Sequence, residues 1–330
     1  MKVRELGEFA LIDRLAEMAA RGHQGRLLVG IGDDAAAWRS DASVQLATTD
    51  ALVEDVHFTL TTTSWEDLGW KSLAANLSDI AAMGGRPEHV LVSLALPGDT
   101  EVDDVVAFYR GMIELADEHD VAIAGGDTVS AGKVFINITV LGSAADPGGR
   151  ILTRTAAVAG DRVAVTGALG AAAGGVEMLL GGLSFAPEVD AELRRACNRP
   201  RPRVAEGRLL VEHGVAAAID VSDGLIADLN HICRASRVGA RVEVDRVPVA
   251  AAVTAAFGGR ATGLALSGGE DYELLFTADA ARVERVRDAA ACPVTVIGEI
   301  TGGPGETVVV DRQGNPVELS RSGWDHFAVG

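Results

Sequence analysis

The chain has 330 residues, 48% of them hydrophobic and 23% charged, which is enough apolar material for packed cores and excludes global disorder. With 29 basic and 47 acidic side chains its formal net charge is −18, which disfavours binding to nucleic acid or to anionic membrane surfaces. Cys197, Cys233 and Cys292 are widely spaced and predict neither a disulfide framework nor a zinc site. No segment has the length and apolarity of a membrane span. We expect a soluble, cytoplasmic protein.

Predicted strands and helices alternate through the first half of the chain. An amphipathic helix is predicted over 1–20. Further along, the patterns predict strands over 44–50, 89–96 and 133–142, and helices over 65–83 and 101–119. Within the third strand, Ile136 and Ile138 alternate with Asn137 and Thr139, which indicates one buried and one open face.

The turn-rich segment Asp146-Pro147-Gly148-Gly149 predicts a domain boundary. We therefore expect an N-terminal domain over 1–148 and a C-terminal domain over 149–330. In the second domain the patterns predict strands over 161–166, 215–221 and 240–244, a helix from the Gly170 turn through Leu180, and a helix over 224–237. The alternation of strands and helices in both halves favours two α/β domains.

Two glycine-containing segments imitate nucleotide-binding motifs. Residues 30–35 read Gly-Ile-Gly-Asp-Asp-Ala and fit a dinucleotide fingerprint, but two carboxylates would then lie where a pyrophosphate must pass. Residues 126–134 resemble a P-loop with one residue too many, and Val134 stands where Ser or Thr should bind magnesium. We predict neither a Rossmann site nor a P-loop.

Aspartates recur beside glycine or small hydroxyl residues, at positions that the patterns place at strand ends. They are Asp33, Asp34, Asp50, Asp79, Asp127, Asp220 and Asp223. A single such aspartate is typical of a helix cap or a turn, but strand ends of an α/β domain converge on a crevice, where several carboxylates repel one another unless cations neutralise them. Carboxylate oxygens favour Mg²⁺, which bridges to phosphates. The set predicts magnesium-dependent phosphoryl chemistry.

Ten segments, in order along nearly the whole chain, resemble the thiamine-monophosphate kinase family, within the superfamily that includes aminoimidazole ribonucleotide synthetase. They are Gly7-Glu8-Phe9, GIGDDAA (30–36), TTDALVEDVHF (48–58), NLSDIAAMGG (76–85), AGGDT (124–128), ILTRTA (151–156), RPRPRVAEG (199–207), DVSDGLIADLNHI (220–232), SGGEDYELLF (267–276) and GWDHF (323–327). The resemblance implies a two-domain α/β fold with mixed, α+β-like sheets. It also implies a homodimer in which the N-terminal sheets of two subunits pair into a barrel.

The reaction implied by the resemblance is direct, in-line transfer of the γ-phosphoryl group of ATP to thiamine monophosphate, with Mg²⁺ and without a phosphoenzyme. The implied metal ligands are Asp34, Thr48, Thr49, Asp50, Asp79, Asp127, Asp220 and Asp223, with Asp33 as an adjacent candidate. All of these aspartates except Asp33 are also the implied catalytic residues. The implied ATP contacts are Tyr109, Gly126, Asp127, Arg154 and Ser222. The implied thiamine monophosphate contacts are His57, Glu270 and Trp324, because an indole can stack on the thiazolium ring.

Other members of the superfamily, and a non-catalytic sensor, are the alternatives. Selenophosphate synthetases use a reactive Cys or selenocysteine near the N-terminus, whereas no cysteine here precedes Cys197. The maturation protein that dehydrates a carbamoylated C-terminal cysteine is disfavoured because this chain ends in Gly330. Aminoimidazole ribonucleotide synthetase lacks an ending like GWDHF. A sensor of ATP or thiamine phosphates would tolerate the loss of several carboxylates. In this chain all the aspartates that match the family's motifs are present, which disfavours a sensor.

Overall fold

The computed structural model describes residues 44–319, together with Arg14, Glu17, Met18, Leu27–Val29, Ala37–Trp38 and Gly323. Asp33, Asp34, Trp324 and most of the helix predicted over 1–20 lie outside the described residues. The chain divides into two compact units: Met1–Ile80 with Arg86–Gly149 forms the N-terminal unit, and Ala81–Gly85 with Arg150–Gly330 forms the C-terminal unit.

Among its described residues, the N-terminal unit contains a four-stranded mixed sheet and two long helices. Its elements are β1 (Leu27–Val29), β2 (Ala37–Trp38), β3 (Gln45–Val53), α1 (Trp65–Ala82), β4 (Gly85–Leu96), α2 (Val102–Glu118), β5 (Ala122–Ser130) and β6 (Phe135–Ala144). The strand order is β3-β6-β4-β5, so β3 and β5 are the two edges. Strands β3 and β6 pair antiparallel, β4 and β5 pair parallel, and β1 and β2 form a separate antiparallel pair.

One face of this sheet is buried and the other is more open. Ile136, Ile138 and Val140 are fully buried on β6, whereas the residues between them are only half-buried, as the alternation predicted. Helices α1 and α2 approach each other closely at two glycines. An added Cβ at Gly69 would lie 1.8 Å from the Phe108 carbonyl oxygen, and one at Gly111 equally close to that of Glu66.

The C-terminal unit contains a six-stranded sheet and seven α-helices among its described residues. Its elements are β7 (Arg162–Thr166), α3 (Ala171–Gly181), α4 (Pro187–Asn198), α5 (Val204–Glu212), β8 (Ala217–Asp220), α6 (Leu225–Ser236), β9 (Gly239–Glu243), α7 (Ala251–Phe257), α8 (Ala261–Ser267), β10 (Leu274–Ala278), α9 (Ala280–Ala289), β11 (Val294–Thr301) and β12 (Thr307–Val310). The strand order is β12-β9-β11-β7-β10-β8. Every neighbouring pair is antiparallel except β12 and β9.

The core of the C-terminal unit lies between this sheet and α6. Its buried side chains include Val163, Ile219, Leu229, Ile232 and Leu275. A second cluster joins α3, α4 and α7 around Met178, Leu193 and Phe257. The β-branched residues of the strands and the apolar stripe of α6 therefore form one continuous apolar layer.

The predicted α/β fold class with mixed sheets is confirmed, and most predicted elements lie within a few residues of the observed ones. Strands β1, β2, β5 and β10 to β12 were not predicted, and neither were helices α4, α5 and α7 to α9. The placement of the aspartates at strand ends is wrong in three cases: Asp50 and Asp127 lie inside β3 and β5, and Asp79 lies inside α1. Asp220 does end β8. Among the described residues, no helix is both long and apolar enough to cross a bilayer.

Candidate active site

In the N-terminal unit, three predicted metal ligands lie on one side of edge strand β3. The Thr48 hydroxyl donates a 2.5 Å hydrogen bond to Asp79 Oδ2, which joins β3 to α1. Asp50 is two residues from Thr48 along the strand, so its side chain projects from the same face. A hydroxyl and two carboxylates are hard oxygen donors. This corner of the unit can supply ligands to Mg²⁺.

The Thr49 side chain lies on the opposite face of β3. Its hydroxyl is within hydrogen-bond distance of Asn137 Oδ1 and Thr139 Oγ1, at 3.1 and 3.0 Å, and of the Ile138 carbonyl oxygen at 3.0 Å. The structure does not bring this hydroxyl together with Thr48 and Asp79. A metal contact from Thr49 would therefore have to come from its backbone carbonyl.

Asp127 lies on the other edge strand, β5, next to two glycines that the backbone requires. A bulge against β4 places Gly125 at φ +156°, and a Cβ at Gly126 would lie 1.8 Å from the Val92 carbonyl oxygen. Three interstrand spacings, about 14 Å, separate β5 from β3. Asp127 and Asp50 of one chain are thus too far apart to bind the same ion. The segment that resembles a P-loop lies largely within β5 and forms no loop around a phosphate.

His57 lies in a tight turn that follows β3. The Val53 N–H donates to His57 Nδ1 at 3.0 Å, and the His57 N–H donates to the Val53 carbonyl at 2.9 Å. Since Nδ1 accepts a hydrogen bond, the neutral ring has its proton on Nε2, as a donor to an anionic oxygen requires. Lys133 Nζ pairs with Asp55 Oδ2 at 2.8 Å and ties this turn to the start of β6.

Tyr109 lies on α2 with its side chain buried, in edge-to-face contact with the Phe108 ring at a centroid distance of 5.8 Å. Burial raises the pKa of its phenol well above the usual range. The prediction that Tyr109 lies near the adenine or ribose of ATP stays a prediction.

In the C-terminal unit, the predicted ligands Asp220 and Asp223 flank a tight turn that leads from β8 into α6. Asp220 is buried at the end of β8, and Ser222 and Asp223 form the turn itself. Gly224 has φ +128°, and a Cβ there would lie 2.9 Å from the Ser267 carbonyl oxygen. The turn therefore requires glycine at 224.

The loop that contains Glu270 packs directly on this turn. The Glu270 N–H donates to the Ser222 carbonyl at 2.8 Å, and the Tyr272 N–H donates to the Val221 carbonyl at 2.9 Å. Glu270 and Tyr272 both have positive φ, +67° and +51°, a conformation that costs free energy for residues other than glycine. Glu270 is thus held next to Ser222 by a strained backbone.

Arg154 and His231 are neighbours of the same turn. Ser236 at the end of α6 donates to the Arg154 carbonyl at 2.8 Å and fixes that segment. Partial burial lowers the pKa of His231, and the positive charge of Arg154 lowers it further while Asp223 acts against them. Arg154, His231 and Asp223 therefore share one patch of this unit.

The acidic residues of this patch fit a bound cation. Ligand atoms of Asp223, Asp228 and His231 all lie within 4.8 Å of one another. Burial raises the pKa of Asp228 to about 8, and the charges of Asp220 and Asp223 add to that effect. Such crowding of carboxylates is the situation that a divalent cation relieves. Asp220 and Asp223 offer carboxylate oxygens, the donors that Mg²⁺ prefers.

Comparison with known proteins identifies the family. The family model for the N-terminal domain of AIR synthase related protein matches residues 32–144. The model for its C-terminal domain matches residues 158–311. A thiamine-monophosphate kinase of Bacillus subtilis is 37% identical over 98% of this chain and 100% of its own length. The chain belongs to the thiamine-monophosphate kinase family.

Solved structures agree with this family assignment. The thiamine-monophosphate kinase of Stenotrophomonas maltophilia superposes with a TM-score of 0.82 at 39% identity, covering 94% of this chain and 98% of the other. AaThiL complexed with AMPPCP and TMP superposes with a TM-score of 0.78 at 32% identity, covering 99% of both chains. The family resemblance and the AIR synthase-like two-domain fold predicted from sequence are thereby confirmed. The roles of the individual site residues stay predictions.

Sequence reasoning missed several buried or half-buried charged residues that support the thiamine-monophosphate kinase motifs. They are Asp228, Asp271, Glu273 and Arg203. All four lie inside the segments that carry the family resemblance. The signal that could have found them is an acidic or basic residue on the buried side of a turn. For example, the residue that precedes α6 is Gly224, which has no side chain to cap the helix. The N–H groups at this helix start therefore need another acceptor, and the Asp228 carboxylate, one turn later, provides it.

Proposed function

We propose that this chain transfers the γ-phosphoryl group of ATP directly to thiamine monophosphate, giving thiamine diphosphate and ADP. The observation that supports this most strongly is full-length identity of 37% to a thiamine-monophosphate kinase. A relative that covers 99% of the chain was solved with AMPPCP and TMP. The acceptor is already an ionised phosphate, so the reaction needs positioning and charge compensation more than a strong base.

We assign several Mg²⁺ ions to the carboxylates, some bound in each unit. Their proposed ligands are Asp33, Asp34, Thr48, Thr49, Asp50, Asp79, Asp127, Asp220 and Asp223. When bound, Mg²⁺ supplies positive charge that offsets repulsion between the two phosphate-bearing reactants. The Thr48–Asp79 contact and the crowding around Asp223 support this assignment.

The substrates are bound by groups whose chemistry suits them. Arg154 and Ser222 would donate to phosphate oxygens of ATP, Gly126 and Asp127 would lie beside the same nucleotide, and Tyr109 would lie near its adenine or ribose. His57 would donate from Nε2 to the phosphate of thiamine monophosphate. Glu270 would offset the charge of the thiazolium or accept from the aminopyrimidine, and Trp324 would stack on the thiazolium.

We further propose that the active enzyme is a homodimer whose N-terminal sheets close into one barrel. Val129 and Phe135 in that sheet are 52% and 39% exposed, which is unusual for large apolar side chains in strands. If the two-fold axis runs along the barrel, β5 of one copy lies beside β3 of the other. Asp127 of one subunit would then lie one strand away from the β3 ligands of its partner, whereas three interstrand spacings separate it from the β3 of its own sheet.

Mixed dimers test this sharing of residues. Asp50→Asn and Asp127→Asn alone should each lose at least about 100-fold in turnover. After the two variants are mixed through a dissociation step, half of the dimers contain both chains, and each of these has one intact site. Activity should return to roughly a quarter of the wild-type level. Activity that stays at the level of the single variants would mean that one chain supplies the whole set.

The reaction itself is tested with purified protein, ATP, Mg²⁺ and thiamine monophosphate, following thiamine diphosphate by chromatography. We expect diphosphate from the monophosphate, none with EDTA, and none from unphosphorylated thiamine. If ATP binds but no product forms, the acceptor is wrong, and substrates of the aminoimidazole pathway come next. If nucleotide and thiamine phosphates bind without turnover, the chain is a sensor. The cytoplasmic location stays a prediction.

A further inference from the structure

Three successive backbone N–H groups converge on a single carboxylate oxygen at the start of α6. Ser222, Asp223 and Gly224 donate to Asp228 Oδ2 at 3.0, 3.1 and 3.0 Å. These groups belong to the turn after β8, where no strand or helix partner is available to them. The Asp228 carboxylate therefore fixes the backbone of the whole turn.

Water cannot replace the Asp228 carboxylate as the acceptor of these hydrogen bonds. Its side chain is only 1% exposed, and the residue that begins the helix, Gly224, has no side chain with which to cap it. The other side of the turn is closed by Glu270, whose N–H donates to the Ser222 carbonyl. Without Asp228, three buried or half-buried N–H groups would lose their acceptor, and the turn would have to change shape.

We propose that Asp228 is a positioning residue that holds Ser222 and Asp223 in the conformation in which they bind nucleotide and metal. This inference rests on the proposed function, because it assigns to Ser222 and Asp223 the ATP and Mg²⁺ contacts given above. Asp228 acts through the position of Oδ2, the atom that accepts the three hydrogen bonds. A side chain that keeps the acceptor in place without charge should therefore work better than one that keeps the charge but moves the acceptor.

The chain offers a matched control in the same unit. Asp279 caps α9 by accepting from the Arg282 N–H at 2.9 Å, and it is far in sequence from the proposed ligands. Asp279 is exposed, with about half of its side chain accessible. Its loss removes an aspartate cap of the same chemical kind while the turn at 222–224 stays untouched.

The test compares D228N, D228E, D228A and D279A in the full-length protein. The probe is Mn²⁺ with AMPPCP, and its binding is measured by water-proton relaxation, so that no turnover is required. We expect Mn²⁺ to bind about 10- to 100-fold more weakly in D228E and D228A. D228N should lose less than D228E, because its amide oxygen can still accept from the three N–H groups. D279A should bind Mn²⁺ within about twofold of wild type, with a lowered unfolding midpoint.

Two results would overturn the proposal. One is Mn²⁺ binding within about twofold of wild type in both D228N and D228E, since each substitution should weaken Mn²⁺ binding if metal affinity depends on the conformation of the turn. The other is the reverse order, with D228E better than D228N, which would mean that Asp228 acts by its charge or as a direct ligand. If D228A does not fold, the order of D228N and D228E still decides. A wild-type protein that binds the probe but forms no thiamine diphosphate would overturn the proposed reaction and leave this comparison intact.

Discussion

The two units present their carboxylates in different ways. In the N-terminal unit, Asp79 projects from a long helix, and Asp50 and Asp127 project from the two edge strands of a regular sheet. In the C-terminal unit, Asp223 and Glu270 lie on turns. The Asp223 N–H donates to the Asp228 carboxylate, and the Glu270 N–H donates to the Ser222 carbonyl. A ligand on a regular element can be changed without loss of fold, whereas turns depend on their supporting acids.

The largest expected effect comes from neutralising a ligand in the N-terminal unit. Asp79→Asn keeps an oxygen that can accept from Thr48 but removes the charge that would bind Mg²⁺. We expect turnover to fall on the order of 10²- to 10³-fold, with an unchanged circular dichroism spectrum and a similar unfolding midpoint. Asp223→Asn is the matched variant in the other unit. Near-normal turnover in both folded variants would remove the metal assignment.

The sequence could predict what depends on local patterns and motif order. Alternation along β6 and the spacing along α2 follow from side-chain periodicity, and the aspartates proposed as metal ligands are visible because they stand beside glycine or hydroxyl residues. The sequence could not predict that Asp50 and Asp127 occupy opposite edges of one sheet, because strand order depends on pairing between distant segments. The partnership of Arg203 with Glu273 was invisible for the same reason: 70 residues separate them.

The second-largest expected effect comes from breaking an ion pair in the C-terminal unit. Arg203 Nε and Nη2 donate to the two oxygens of Glu273 at 2.7 and 2.5 Å, and Thr166 Oγ1 donates to Oε2 at 2.6 Å. The Glu273 side chain is 8% exposed. Gly167 has φ +58°, and its Cβ would lie 2.0 Å from Glu273 Oε1. The carboxylate is thus enclosed and depends on its partner.

Arg203→Ala should lower the free energy of unfolding by about 3–5 kcal/mol, because it leaves a buried carboxylate without its cation. Denaturant titration measures this directly. Arg282→Ala is the control, since it removes the exposed pair between Arg282 and Asp279, and it should cost about 0.2–1 kcal/mol. Equal losses in the two variants would mean that the Arg203–Glu273 pair is no more important than a surface contact.

The smallest expected effect concerns Asp271, the neighbour of Glu270 in the same loop, whose carboxylate ties that loop to the start of α3. Its carboxylate accepts from the Gly170 N–H at 2.6 Å and the Ala172 N–H at 3.2 Å, at the start of α3. Desolvation raises the pKa of Asp271 to about 7, the charges of Glu273 and Glu270 add to this, and the two N–H donors oppose it. The native carboxyl therefore holds its proton at pH values where the unfolded chain, with a pKa of about 3.9, has lost it.

Because the native state binds the extra proton, this contribution to stability is complete below about pH 4 and is lost as the pH rises toward 7. Asp271→Asn removes the titration and keeps an acceptor oxygen. Wild type should lose roughly 2–3 kcal/mol relative to this variant between pH 5 and pH 8, as measured by denaturant titration. The N–H of Arg282 lowers the pKa of Asp279, so Asp279→Asn should show no such trend above pH 5. A flat difference for Asp271→Asn would mean that its carboxylate is charged throughout, held by the α3 N-terminus alone.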